Sequence, residues 1–334
     1  MTTAMTLVAI VCQARVIRVN SVPTFATSCA DCYTSLPSAI SAALDNDTIH
    51  LEPADANYGD ATINKRLVII GAGYLLGPNP SNPDLQANTQ SSRVNLLTLN
   101  SNTSQGTVLM GLHFANQFGG LSISNTSNIR VLRNFFDDGL DIDFPSGGTG
   151  VSDILVAENL ISGSVTHSQF AQVITNLTIR NNIIATNLSF AEDADVITNL
   201  SVLNNTFLYN GNHSLKNAEV AFNVFYQGNI TGANNTIHDN ISAIALTGGD
   251  ASNQVVNMGN VYNLTLGTDD SKYDILPSSP FDEDEDDARG AFSGISPYRL
   301  SGIPNIPTIY TLQSTLNTVP GGSVEVTLST RTNN

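Results

Sequence analysis

A nine-residue unit recurs through the middle of the chain and leaves few folds open. It reads Asn-h-x-h-x-x-Asn-h-h, where h is usually apolar. The segments 128–136, 153–161, 176–184, 199–207 and 217–225 all fit it, with Asp153 opening the second. Weaker copies end at Asn240 and Asn260, and Gly111 takes the equivalent place upstream. The second Asn stands at 134, 159, 182, 205, 223, 240 and 260, in steps of 25, 23, 23, 18, 17 and 20 residues. Self-similarity at such a period marks a solenoid.

Within each unit the apolar residues alternate, which is strand periodicity. One column reads Val131, Val156, Ile179, Val202, Val220, Ile237; another reads Phe136, Ile161, Ile184, Phe207, Phe225 and then Tyr262. If each repeat is one coil, these columns are stacks inside a tube. The Asn column has a physical reason. Asn tolerates the left-handed backbone needed at a sharp bend between strands. Stacked amides can also hydrogen-bond from coil to coil as a ladder. The chain holds 38 Asn, far above ordinary usage. A leucine-rich horseshoe would need Leu at fixed spacing and helical returns, and a propeller would need four-stranded blades. The reading is all-β: a right-handed parallel β-helix of nine or ten coils, on the order of 45 Å long at about 4.8 Å per coil.

Such a rod exposes an apolar cross-section at each end and needs caps. Ser35–Leu44 fits a short amphipathic helix, started by Ser35 or Pro37, over the first coil. Thr48–Leu51 then begins the sheets, and Ile63–Gly71 is an early coil. Residues 72–92 are loop-like. Phe281–Asp287 is an acidic run that could chelate calcium, but it lacks the interleaved Gly or Asn of a calcium loop and reads as a solvated loop. Ser301–Pro307 is a stiff Pro-rich connector. Thr308–Leu316 and Ser323–Thr330 read as two strands joined by Pro320-Gly321-Gly322. A lone hairpin is marginal in water, so it must pack on the rod or on another copy. The chain thus divides into a signal-like segment (1–14), a capped β-helix (15–300) and a connector with its C-terminal hairpin extension (301–334).

The formal charge is −16, with only 13 Lys and Arg. Nucleic acid and anionic membrane surfaces are poor partners for such a chain, because both need clustered positive charge. The run Ala4–Cys12 is too short to span a bilayer and reads as the apolar core of a secretory signal, with cleavage after Ala14. The expected location is therefore secreted, extracellular or at the cell surface. Cleavage leaves Cys29-Ala30-Asp31-Cys32. Such a pair can be a redox site, half a zinc site or a local disulfide. No second pair completes zinc and no βαβ pattern surrounds it, so a small structural disulfide is preferred over the other two.

Several segments then suggest a family. Tyr58-Gly59 followed by Ile63–Tyr74 resembles the early coils of secreted bacterial right-handed β-helix proteins of the pectin-lyase-like superfamily. Lys272–Pro280 with Arg289–Phe292 is similar to the end of their last coils, and Ser301–Tyr310 to their exit segment. The resemblance implies the fold and secretion. It does not select an activity, because that superfamily spans lyases, hydrolases, esterases, adhesins and non-enzymes.

The densest carboxylate cluster is Asp137-Asp138-Gly139-Leu140-Asp141-Ile142-Asp143. Two carboxylates with divergent pKa values could serve glycoside hydrolysis, so Asp137, Asp138 and Asp141 are the catalytic candidates if the chain is an enzyme. The Asp-Asp step looks like that of β-helix polygalacturonases, whose Asn-Thr-Asp, Gly-His-Gly and Arg-x-Lys motifs are missing here. A lyase would need a basic groove over calcium; Arg130, Arg133 and Arg180 form no single stripe. No Ser sits in a nucleophile elbow. Sequons such as those at Asn176, Asn199 and Asn229 fall on the repeat's own columns and need no glycan to explain them. The expectation is a non-catalytic β-helix without cofactor, Ca2+ being the one conceivable ligand. It would act in adhesion or self-assembly, with other copies of itself or an extracellular polysaccharide as partner. A polysaccharide-degrading enzyme is the alternative.

Overall fold

The computed structural model describes residues 14–77, 86–115, 120–142, 150–166, 173–191, 196–262, 264, 270–281, 288–314 and 324–333. The N-terminal signal-like run, the acidic run at 282–287, Asp143 and the hairpin turn lie outside these residues.

Three parallel sheets run the length of a β-helix. The first has eleven strands, the second eight and the third nine. In one coil the chain passes from Arg130–Leu132 in the first sheet to Phe135–Phe136 in the third, then to Leu140–Ile142 in the second, and returns to the first at Val151–Ala157. Eleven stacked strands give a rod of about 48 Å at 4.8 Å per step. The register pairs Val131 with Val156, Val156 with Ile179, Ile179 with Val202, Val202 with Val220, and Val220 with Ile237. All six are buried, so this column is a continuous stack. The second column holds from Phe136 to Phe225, but its next member is Ser242, not Tyr262. Tyr262 lies beyond the last strand, Gln254–Val255, in a separate cluster with Val224 and Ile241. Where aromatics meet in the column they stack: Phe207 on Phe225 at 4.7 Å, and Phe136 on Phe114 of the preceding coil at 4.4 Å.

The two Asn columns divide the work expected of one. The first column (Asn128, Asp153, Asn176, Asn199, Asn217, Asn234) is left-handed, with φ between 54° and 58°. In the second column the left-handed residue is the one before the Asn: Arg133, Glu158, Asn181, Asn204, Phe222 and Asp239. The Asn itself points inward and is fully buried from Asn134 to Asn240. Asn159 shows the pattern. Its backbone and side-chain N–H groups both donate to Asn182 Oδ1 at 2.9 Å, and Nδ2 also donates to the carbonyls of Val131 and Ala157. The same links join Asn134 to Asn159, and run on through Asn205, Asn223 and Asn240 to Asn253. The ladder thus ends at Asn253; Asn260 is exposed in a 3-10 turn. Upstream, Gly111 matches the left-handed position, and Leu112 replaces the Asn.

The cap forms as expected. Ser35 caps a helix over Leu36–Ala42 and accepts from the Ser38 N–H, while Leu36, Ala39 and Ile40 join the main core. Its C-terminal carbonyls are closed from the next coil: Lys65 Nζ donates to Ile40, Ser41 and Ala43 at 2.9, 2.8 and 2.7 Å. The first sheet begins earlier than Thr48, at Val16–Val19, which pairs with Cys32–Tyr33 on one side and Thr48–Leu51 on the other. Cys29 and Cys32 form a disulfide.

After Val255 the chain turns back and runs along the outer face of the third sheet. Met258, Tyr262, Ile275 and Phe281 cover Val224 and Ile241 of the last coils. Ala291, Phe292 and Tyr298 cover Leu160 and Ile183 in the middle. Ile303 reaches Ala72 and Leu76 near the start. This strap explains why the third sheet carries apolar side chains on both faces, a pattern of strands buried on both sides. Polar groups pin it. Tyr74 Oη and Tyr298 Oη meet at 2.6 Å, and buried Asp270 Oδ2 accepts from the Ser301 N–H at 2.6 Å. Arg133, buried beneath the strap, donates to Glu158 at 2.6 Å and to the Ile303 carbonyl at 3.1 Å.

Candidate functional site

The strap ends in an antiparallel hairpin of Thr308–Ser314 and Val326–Arg331. The strands match the expected pair over the described residues. Leu312 faces Leu328 and Ser314 faces Val326. A register shift between Ile309 and Thr311 brings Ile309 opposite Thr330, so Ile309 joins the same face. That face is apolar and open: Ile309, Leu312, Val326 and Leu328 are 44%, 59%, 58% and 53% exposed, and Val324 is exposed just before the strand. No charged side chain falls on this row among the described residues. The opposite face carries Tyr310, with the Arg331 guanidinium 5.8 Å from its ring centre. The apolar row continues into a groove of about 370 Å³ between hairpin and rod, lined by His50, Ala72, Pro304, Ile306, Ile309 and Leu312.

A second groove of about 400 Å³ lies between strap and hairpin and brings Arg133, Arg299 and Arg331 together with Asp274. The sequence offered no basic groove, because these arginines are far apart in the chain. Only the return of the strap and hairpin to the rod gathers them.

The carboxylate candidates stand on two elements. Asp137 follows the strand Phe135–Phe136 and is tied to His113, with Oδ2 at 3.0 Å from Nε2. Asp138 accepts from the N–H of Gly139 at 2.8 Å, closing its own turn. Asp141 lies within the strand Leu140–Ile142 of the second sheet, in register with Ser122 and Thr166. Among the described residues, no group of three or more His, Cys, Asp or Glu could hold a metal ion, and no helix is long and apolar enough to cross a membrane.

Two residues that the sequence reading passed over complete a chain of hydrogen bonds at Asp137. His113 Nδ1 lies 3.1 Å from Ser91 Oγ. Ser91, His113 and Asp137 come from three successive passes of the third sheet, 22 and 24 residues apart. Backbone bonds hold them: the His113 N–H donates to Ser92 at 3.1 Å and the Asp137 N–H to Phe114 at 3.0 Å. The His113 ring stacks on Phe135, its register partner, at 4.7 Å. Arg93 is the register partner of His113 on the other side. The signal was present in the sequence as polar residues recurring at the coil spacing, but without a register nothing distinguished them from other surface residues.

No protein-family model, curated protein or solved structure matches the chain.

Proposed function

We propose that this protein is an extracellular rod that associates with a second copy of itself through the apolar face of its C-terminal hairpin. The exposed row of Ile309, Leu312, Val326 and Leu328 carries this reading. A two-stranded sheet with one open aliphatic face is marginal in water, and a matching face buries both. Charge selects the partner. A chain of net charge −16 repels its own copies over most of its surface, whereas this row carries no charge among the described residues. An isologous contact, the same patch on both copies, satisfies it. The Cys29–Cys32 disulfide supports an oxidising, extracellular setting, and the coil architecture fits the resemblance to secreted β-helix proteins. The polysaccharide-hydrolase alternative draws less support, since Asp137 is engaged by His113 and Asp138 by its own turn.

Sedimentation velocity on the full chain, over a range of micromolar concentrations, tests the reading. A dimer is expected, with the double variant Val326→Ser/Leu328→Ser monomeric and unchanged in far-UV circular dichroism. A full chain that stays monomeric, or a double variant that still dimerises, overturns it.

A further inference from the structure

From the Ser91–His113–Asp137 chain we infer a second property: an acyl-transfer site on the outer edge of the third sheet, acting on small acyl esters. A carboxylate can only accept hydrogen bonds, so the 3.0 Å contact to Asp137 places the proton of a neutral His113 on Nε2. Nδ1 is then a bare acceptor. The only hydrogen between it and Ser91 Oγ, 3.1 Å away, is the hydroxyl's own. This is the arrangement that general-base activation of a serine requires, with base and orienting group both in hydrogen-bond reach. It is recognised by geometry and roles, whichever ring nitrogen serves.

The site is held in place. The His113 side chain is 17% exposed, is clamped against Phe135 and is bonded at both nitrogens, so its ring orientation is set before any substrate arrives. Asp137 is 45% exposed and Ser91 is half-buried, so an ester can approach from solvent. Arg93 occupies the adjoining register position, and its guanidinium donates to the Asp55 carbonyl beside the site. Its neighbour Val94 is buried in the core, which fixes the alternation.

In the first step Ser91 Oγ bonds to the ester carbonyl carbon and its proton passes to His113 Nδ1. The carbonyl π pair moves to oxygen and returns, the C–O bond to the alcohol breaks, and the leaving oxygen takes the proton from Nδ1. Water then attacks the acyl-serine and gives a proton to Nδ1. The serine oxygen leaves with that proton, and the carboxylic acid is released. Ser91 and His113 are the catalytic residues; Asp137 is a positioning residue acting through His113.

The test uses the full chain with p-nitrophenyl acetate as substrate and a fluorophosphonate as covalent probe. Intact-mass and peptide mapping should place one phosphonyl adduct on Ser91. Ser91→Ala should lower kcat by at least about a hundredfold and abolish labelling. Asp137→Asn should lower kcat with KM little changed, and Asp137→Glu should recover part of the loss, which a structural role would not produce. The two side chains varied, Ser91 and Asp137, are partly exposed, so matched melting curves separate lost chemistry from lost fold. Turnover that survives Ser91→Ala, an adduct elsewhere, or a folded chain with neither turnover nor adduct overturns the inference. None of these results depends on whether the hairpin associates.

Discussion

Asn182 accepts two hydrogen bonds from Asn159 at one oxygen, from its backbone N–H and from its Nδ2, each at 2.9 Å. Asn182 in turn donates to Asn205, Val156 and Arg180. One amide therefore satisfies polar groups in three coils, of which only the Arg180 carbonyl is part-buried and the others are fully buried. Buried donors and acceptors left alone cost about 1–3 kcal/mol each, so the ladder is a condition for stacking and not an ornament on it.

Asn182→Ala should therefore destabilise the chain by about 3 kcal/mol or more, since it orphans the Asn159 N–H and the Val156 carbonyl together. Asn176→Ala removes two exposed amide links, to Asp153 and from Asn199 at 2.8 Å each, and places Ala at a φ of +55°. It should still cost less, because no buried group is orphaned. Urea unfolding of both variants checks the contrast; equal losses would contradict the burial argument.

His213 sits inside the rod, with its ring 4.4 Å from Phe207 and Nδ1 accepting from the Leu188 N–H at 3.2 Å. Burial pushes its pKa down from 6.5 to about 4. The unfolded chain takes up a proton near pH 6.5 and the folded one does not until about pH 4. Stability from this residue is thus intact above pH 6.5, falls as pH drops through that window, and is about 3 kcal/mol lower below it. His213→Leu should flatten this part of the pH–stability curve, at a cost near neutral pH for the orphaned Leu188 N–H. Chemical denaturation at a series of pH values reads both effects.

Gly302 has φ of +55°, and a Cβ there would lie 2.2 Å from Tyr74 Cε1 and 2.4 Å from the Arg133 carbonyl oxygen. Neither the buried ring nor the backbone can yield. Gly302→Ala should cost at least about 2 kcal/mol and loosen the strap before the coils. Limited proteolysis should show new cuts between residues 256 and 307 while the rod persists.

Arg133 and Glu158 are each buried, with side chains 9% exposed, and paired at 2.6 Å. Arg133→Met alone leaves a buried carboxylate and should cost about 3 kcal/mol or more. Adding Glu158→Leu should recover most of that. The share belonging to the Ile303 carbonyl, which also loses its donor, stays lost. A double-mutant cycle by thermal unfolding measures the coupling.

The coil was legible because its determinants are local and repeated. A strand alternates with a period of two, and a coil repeats its own pattern, so Val131, Val156, Ile179 and Val202 announced their stack before any register was known. Ser35 and the apolar positions after it announced the cap in the same way. The repeat failed where it loosened. Asn260 continued the spacing, but Asn253 took the rung, because only register tells which amide faces inward.

The candidate sites follow the opposite rule. Ser91, His113 and Asp137 are ordinary residues until three coils lie over one another, and Arg133, Arg299 and Arg331 share a groove only after the strap returns along the rod. Sequence alone determined that this chain coils and that the apolar column from Val131 to Ile237 fills the tube, since periodic burial is written in neighbouring residues. Tertiary structure alone decided what covers the outer face and which polar groups meet there. Those contacts depend on distances across the chain that no local pattern encodes.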